Sequence, residues 1–367
     1  MKVEAFHVCH FRNFTSQTII PSDGVNEFVG QNAQGKTALL EALHVLVLGG
    51  SFRTYQLREL IQHGTNGFFI EAVIHSEGVR TTLAVTYDGV RRYVTIDGQP
   101  QESSSQLLGH LLGVTATLED HELIFGPPAF RRRFLDEQIA QVDPFYVGQL
   151  CRYSKALAQR NRLLKLRDFR TIGAWEELLA KAGAYIASQR RYTAAILAPK
   201  VASSYRHLFE EKEYPDVISM RYLTQCPESE EMADWYRKQY AARREHEARA
   251  AATLVGPHRD DIEWCLGSHP CKAVASLGQA RAVALALRCA EWELLSERSQ
   301  ESPLFLIDDV ESTLDGHRKE TILELCQRFG QVFFTGHQPQ SSASRVMTVT
   351  HGCLSNGTDK SLIGTTV

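Results

Sequence analysis

The sequence lacks any C-x-x-C pair, although it has eight cysteines. Cys265 and Cys271 stand closest together, and no histidine–cysteine set with zinc spacing is completed around them. A zinc ribbon or finger is therefore excluded. Thiols scattered among apolar residues read as small buried hydrophobes of a reducing, cytoplasmic compartment. Charge of one sign is also missing: 40 basic residues face 43 acidic ones, for a formal net charge of -3. Any nucleic-acid contact must then come from a local patch rather than from the overall field. Apolar runs such as Val45-Leu46-Val47-Leu48 are far too short to span a bilayer. Met1-Lys2-Val3-Glu4-Ala5-Phe6 shows no basic region followed by an apolar run, so no signal peptide is expected. Exact repeats and low-complexity tracts are missing, and no heptad pattern is long enough for an extended coiled coil. What remains is ordinary globular material, 43% hydrophobic and 23% charged. Its 367 residues suffice for two domains or one large α/β domain with an insertion.

One motif is unambiguous. Gly30-Gln31-Asn32-Ala33-Gln34-Gly35-Lys36-Thr37 fits G-x-x-x-x-G-K-[ST]. A short strand, Asn26 to Val29, precedes it, and a helix from Thr37 to Leu48 follows, stopped at Gly49-Gly50. Glycines let backbone N–H groups close around phosphate, and the helix N-terminus adds positive partial charge. The pattern predicts ATP, with Lys36 on the β- and γ-phosphates and Thr37 on Mg²⁺. Leu304-Phe305-Leu306-Ile307 reads as a buried strand ending in Asp308-Asp309, a Walker B pattern. Asp308 would bind Mg²⁺ directly or through water, and Asp309 would polarise the attacking water. Ser276-Leu277-Gly278-Gln279 opens a helix running to about Ser296; by itself S-x-G-Q is either a helix cap or a second anion-binding end. The order phosphate loop, insertion, S-x-G-Q, acidic strand is that of ABC-type ATPases, in which the serine completes the partner subunit's ATP site.

The remaining chain divides by periodicity. Val3–Val8 alternates as a strand, and residues 68–97 read as an antiparallel meander turning at Glu77-Gly78 and Asp88-Gly89. Helical spacing dominates from about 130 to 250: Tyr146, Leu150, Tyr153, Leu157 and Leu164, then Trp175 to Ile186, then 228–252. Beyond 255 the character is α/β again, with a helix expected over Gly316–Phe329 and a strand over Val332–Thr335. The last twenty residues are polar and are expected to be frayed or loosely packed. Three parts follow: 1–120 as the first part of an ATPase head, 121–254 as a mainly helical lobe or arm, and 255–367 as the rest of the head. Residues 131–170 hold ten Arg or Lys against four Asp or Glu, a local charge of about +6. This stretch is either a contact for backbone phosphates or a solvated amphipathic helix with ordinary ion pairs. Arg131, Arg132 and Arg133 alternatively stabilise the head or a dimer.

Longer motifs carry a resemblance. Phe11-Arg12-Asn13-Phe14, Ser51-Phe52-Arg53-Thr54, Arg131-Arg132-Arg133-Phe134-Leu135-Asp136, Gln159 to Lys165, Gly256-Pro257-His258-Arg259-Asp260-Asp261, and Asp308-Asp309-Val310 with Leu314-Asp315 together resemble the bacterial RecF family, related to SMC heads. The resemblance covers nearly the whole chain. It implies an α/β, ABC-type P-loop ATPase head of mixed β sheet, assembled from both chain ends, with a mainly helical second lobe and a short arm. It further implies an ATP-dependent homodimer with weak ATPase activity that binds single-strand/double-strand DNA junctions. RecR, with RecO beside it, would be a partner in placing RecA, with roles in fork recovery and the SOS response; no membrane partner is implied. Arg12, Asn13 and Arg53 would help hold the nucleotide, Glu119 would sense the γ-phosphate from the switch loop, and Ser276 and Gly278 would reach the partner's nucleotide. Ser312–Asp315 resembles the D-loop. Leu118 stands where the family usually has proline, and Ser-Leu-Gly-Gln-Ala replaces Ser-Gln-Gly-Gln-Gln. His337 is either a switch histidine or a loop histidine, and Asp309 is shorter than the glutamate of many ABC ATPases. The runner-up reading is the nucleotide-binding subunit of an ABC transporter.

Overall fold

The computed structural model describes residues 1–209, 218–227, 231–309, 329–339 and 345–356. The chain divides into two compact units: Met1–Asp120 with His207–Glu210 and Leu285–Val367, and His121–Arg206 with Glu211–Ala284. The second unit thus takes in 255–284, including Ser276, which the sequence pattern groups with the end of the chain.

The first unit contains two six-stranded sheets. One is the expected antiparallel meander. Its strands are β1 (Lys2–Phe11), β2 (Phe14–Ile19), β4 (Phe68–Ser76), β5 (Val79–Tyr87), β6 (Arg92–Ile96) and β7 (Gln99–Pro100), in the order β2-β1-β4-β5-β6-β7. The other takes β3 (Val25–Val29), β8 (Gly113–Thr117), β12 (Leu304–Asp308), β13 (Val332–Gly336), β14 (Arg345–Thr350) and β15 (Cys353–Asn356), in the order β15-β14-β3-β13-β12-β8. Five of these strands are parallel, and β15 returns antiparallel along β14. Helix α1 (Lys36–Leu48) shares one apolar core with residues of both sheets and has eleven of its thirteen residues buried. That explains why its sequence is apolar all round rather than striped.

Strands β14 and β15 correct the expectation for the last twenty residues as far as residue 356; residues 357–367 lie outside the described residues. Residues 345–356 are ordered parts of the parallel sheet, with Met347 and Val349 buried. Local polarity misleads because β14 contributes only alternate side chains to the core while its backbone pairs with β3. Residues 316–328 of the helix expected over Gly316–Phe329 and the D-loop residues Ser312–Asp315 lie outside the described residues; Phe329 is described and buried.

The second unit holds α2 (Glu122–Phe125), α3 (Pro128–Ala140), α4 (Pro144–Leu166), α5 (Ile172–Leu208, which continues into the first unit at His207), α6 (Met232–Ala250), α7 (Cys271–Val274) and the start of α8 (Leu277–Ser299). A three-stranded antiparallel sheet joins them: β9 (Ile218–Leu223), β10 (Asp261–Leu266) and β11 (His269–Pro270), with β10 central. Two sequence motifs meet here. Arg131 grips Asp261 through two nitrogens at 2.8 and 3.0 Å, Arg132 donates to the Asp260 carbonyl at 2.8 Å, and Arg190 grips Asp136 while donating to the Pro257 carbonyl. His258 accepts at Nδ1 from the Tyr153 hydroxyl (2.6 Å) and donates from Nε2 to the Thr253 carbonyl (3.0 Å). Burial pushes that imidazole down to about 4, so it stays neutral. The three arginines at 131–133 are internal fasteners of this unit: Arg133 pairs with Glu137 one turn on.

Candidate functional site

Parallel strands put their carboxyl ends along one edge of a sheet, which is where α/β folds bind ligands. Here the ends of β3, β13, β12 and β14 all lie on that edge. Loop 30–35 leaves β3 and enters α1. Its backbone is shaped by close approach. A Cβ on Gly35 would lie 2.5 Å from the Asn13 side chain, and φ at Gly35 is +115°. At Gly30 the corresponding atom would meet the Val349 carbonyl oxygen at 2.5 Å. Gly35→Ala is therefore expected to weaken ATP binding about ten- to hundredfold, the equivalent of ~1–3 kcal/mol of backbone strain. Calorimetric titration with ATP checks this, and wild-type affinity would refute it.

The loop is held from three sides. Asn13 donates from Nδ2 to the Gln34 carbonyl (2.7 Å), Gly352 N–H donates to the same oxygen (3.1 Å), and His351 N–H donates to Gln34 Oε1 (2.6 Å). The turn between β14 and β15 is thus part of the cradle. The Lys36 ammonium folds back onto the carbonyls of Gly30 and Gln31, the latter at 2.9 Å. Thr37 Oγ1 donates to Asp308 Oδ1 at 2.8 Å, joining residues 271 positions apart.

Sequence reasoning missed Thr335. Its fully buried hydroxyl donates to Asp308 Oδ1 (2.8 Å) and accepts from the Asp309 N–H (2.9 Å). Asp309 sits at φ +50°, which turns the chain sharply at the end of β12. Burial pushes the Asp308 carboxyl up; the hydroxyls of Thr335 and Thr37 pull it back, the Asp309 charge raises it and Arg53 lowers it. A hydroxyl beside a carboxylate is a hard-oxygen pair of the kind Mg²⁺ takes.

Glu41 was missed as well. It is fully buried in α1 and accepts from Arg12 Nε and Nη2, each at 2.7 Å, and from Ser51 Oγ. Ser51 Oγ in turn accepts the N–H groups of Arg53 (2.9 Å) and Thr54 (3.1 Å), fixing the turn that presents Arg53. One carboxylate therefore ties the Phe-Arg-Asn-Phe and Ser-Phe-Arg-Thr motifs to the helix after the phosphate loop. No local pattern reveals this, because the partners of Glu41 stand 29 and 10 residues away in sequence.

A depression of about 600 Å³ gathers Arg12, Asn13, residues 31–38, Arg53, Asp309 and Thr335, with Glu59, Ile61 and His63 completing its wall. Among the sequence candidates, Glu119 is exposed and outside that lining. Its neighbour Asp120 is buried instead and grips Arg288 through two nitrogens at 2.9 and 2.8 Å; Arg288 also holds Glu291. Ser276 and Gly278 belong to the other unit and are solvent-exposed. Ser276 caps α8: its Oγ accepts the Gln279 N–H (3.2 Å), and Gln279 Oε1 accepts the Ser276 N–H (2.8 Å). His337 follows β13 and is exposed.

Comparison with known proteins bears on the family and the fold. The family described as RecF/RecN/SMC N terminal domain matches residues 2–356. A protein of Protochlamydia amoebophila (strain UWE25) named DNA replication and repair protein RecF is 38% identical over 344 residues, 93% of this chain and 95% of its own. A solved structure of the recombination mediator protein RecF with ATP, in the RecFOR pathway, superposes with a TM-score of 0.89 at 28% identity, covering 96% of this chain and 97% of that one. An Smc head domain from Pyrococcus furiosus superposes with a TM-score of 0.54 at 15% identity over 96% and 94%, a likeness of fold alone. An ABC/SMC-type ATPase head and nearly full-length similarity to curated relatives converge: the chain belongs to the RecF family.

Proposed function

We propose that this chain is an ATP-dependent DNA-binding protein of recombinational repair that dimerises on ATP and hydrolyses it weakly. The observation that carries the ATP site is the 2.8 Å contact between Thr37 and Asp308, which brings the phosphate loop and the acidic strand into one constellation. Residues 30–37 would cradle the triphosphate, with Asn13 fixing the loop and Arg12 and Arg53 contributing positive charge at its wall. Thr37 and Asp308 would hold Mg²⁺, which supplies charge neutralisation between the phosphates. Asp309 would orient the attacking water; its short side chain suits slow turnover. Glu119, in the turn after β8, would report the γ-phosphate.

Ser276 and Gly278 would complete the partner's site. Their exposure fits, as does that of the neighbouring apolar side chains Val274 (51%) and Leu277 (47%). ATP then acts by linkage: it favours the dimer by as much as it binds the dimer better than the monomer. The relatives' names support DNA replication and repair and a place in the RecFOR pathway; gapped junctions as the substrate, RecR and RecO as partners, and RecA loading, fork recovery and the SOS response as outcomes are part of the proposal. A cytoplasmic site fits the seven free cysteines among the described residues. The three-part division at 120 and 254 serves this reading as head, arm and head. The transporter alternative is not favoured: curated relatives matching over most of the chain are RecF proteins.

Dimerisation and DNA binding measured with ATP, with ADP and without nucleotide test the proposal. Wild type should dimerise and bind DNA only with ATP. Ser276→Arg should bind ATP as a monomer and lose the dimer, because a guanidinium replaces a small capping hydroxyl on an exposed surface. If both proteins keep one oligomeric state and one DNA affinity in all three conditions, the proposal fails.

A further inference from the structure

Arg167 is the C-cap of α4, and the other nine cations of residues 131–170 fall into two sets. Arg131, Arg132, Arg133 and Arg160 are spent inside the second unit, each on a named carboxylate or carbonyl. Arg170 pairs with Asp168. Arg152, Lys155, Arg162 and Lys165 are different: all four are exposed, and none makes an ion pair among the described residues.

All four sit on α4. At about 100° per residue they fall within an arc of roughly 140°. The buried positions Tyr153, Ala156, Arg160 and Leu164 occupy the other side of the helix. Between Arg152 and Lys165 the axis advances about 20 Å, or about six base-pair steps of duplex. The 23-residue helix contains no Asp or Glu, so nothing on it neutralises this row. Around the cations the exposed residues Ser154, Ala158 and Gln159 permit close approach and add hydrogen-bonding groups, while Leu166, exposed beside Lys165, is the apolar end of the row. Between Arg152 and Lys165 the one aromatic, Tyr153, is buried, so no platform for stacking bases exists along the row.

We infer that this face of α4 is a sequence-independent phosphate-backbone tract for duplex DNA, formed by Arg152, Lys155, Arg162 and Lys165. The inference rests on the DNA-binding reading above and assigns it a surface. Charge complementarity selects the occupant: a polyanion of regular spacing matches an unneutralised cationic row. Recognition is electrostatic, with counterion release as its driving force.

The test is binding of full-length protein, with ATP present, to two duplexes of unrelated sequence across a KCl series. For R152A/K155A/R162A/K165A the slope of log K against log [KCl] should become shallower by up to about 3.6, at ~0.9 for each phosphate no longer neutralised, equally on both duplexes. The double variant K155A/R162A should show about half that change, ~1.8, and covers the case in which the quadruple variant folds poorly. R133A, whose guanidinium is spent on Glu137, should leave the slope unchanged. Wild-type slopes in the folded quadruple and double variants overturn the tract, including the case in which the row serves an acidic protein instead. If wild type binds neither duplex in any nucleotide state, the DNA-binding reading itself falls, and the tract with it.

Discussion

Lys36→Met is expected to lose ATP affinity by a factor of roughly 30 to 4,000, and with it every ATP-dependent change in dimer state and DNA binding. Lys36 is only 7% exposed at the start of α1, and its ammonium is held by the carbonyls of Gly30 and Gln31. Those neutral acceptors keep the charge at the mouth of the loop, ready to be exchanged for phosphate oxygens, which bind a cation more strongly than carbonyls do. Methionine preserves the apolar stem, so packing against the core survives. What disappears is one fully directed charge, and truncating one partner of a desolvated charge pair costs about 2–5 kcal/mol. Calorimetric titration with ATP reads the affinity, and sedimentation reads the dimer. A variant that binds ATP within a few-fold of wild type would show that the loop's N–H groups suffice without the lysine.

Arg160→Ala is expected to destabilise the second unit by about 3–5 kcal/mol. Arg160 is fully buried. Its guanidinium meets Glu176 at 3.2 Å and lies 2.6 Å from Glu247, an ion contact rather than an aligned hydrogen bond; it donates to Thr253 Oγ1 and the Tyr240 carbonyl and stands 4.9 Å from the Tyr240 ring centroid. Glu176 keeps a second partner in Arg244, whereas Glu247, also fully buried, would retain among the described residues only the Leu254 N–H. Removing the cation leaves that carboxylate without compensation, which costs more than the intact pair contributes. Scanning calorimetry should show a transition lowered by roughly 6–20 °C, at ~2–4 °C per kcal/mol. R160M/E247L, which removes charge from both sides, should recover most of the loss. A shift below about 2 °C in Arg160→Ala would show that the network is not needed.

Arg160 also shows where sequence reading stops. It lies in the same Gln159–Lys165 run as Arg162 and Lys165, and composition treats the three alike. Helix geometry separates them, turning Arg160 and Leu164 into the unit and leaving the other two in water. Likewise the family resemblance singles out Glu119, and the sequence does not say that its neighbour Asp120 is the buried carboxylate with a committed partner, Arg288. A short 3-10 turn decides which of two adjacent acids faces inward.

The phosphate loop was legible because its chemistry is local. Eight consecutive residues carry the glycines, the lysine and the threonine, and the flanking strand and helix follow from short-range periodicity. Asp308 was legible for the same reason, as the polar end of an apolar strand. The meander was legible from its Asp-Gly and Glu-Gly turns. What tertiary structure alone decided is the set of partners separated by tens to hundreds of residues. Thr335 meets Asp308 because β13 pairs in parallel with β12 at that register. Glu41 joins Arg12 to Ser51 because α1 lies against both sheets. The 345–356 hairpin braces Gln34 because β14 pairs beside β3. Each is a hydrogen-bonding choice fixed by sheet order, and sheet order is set by long-range packing that no window of sequence contains.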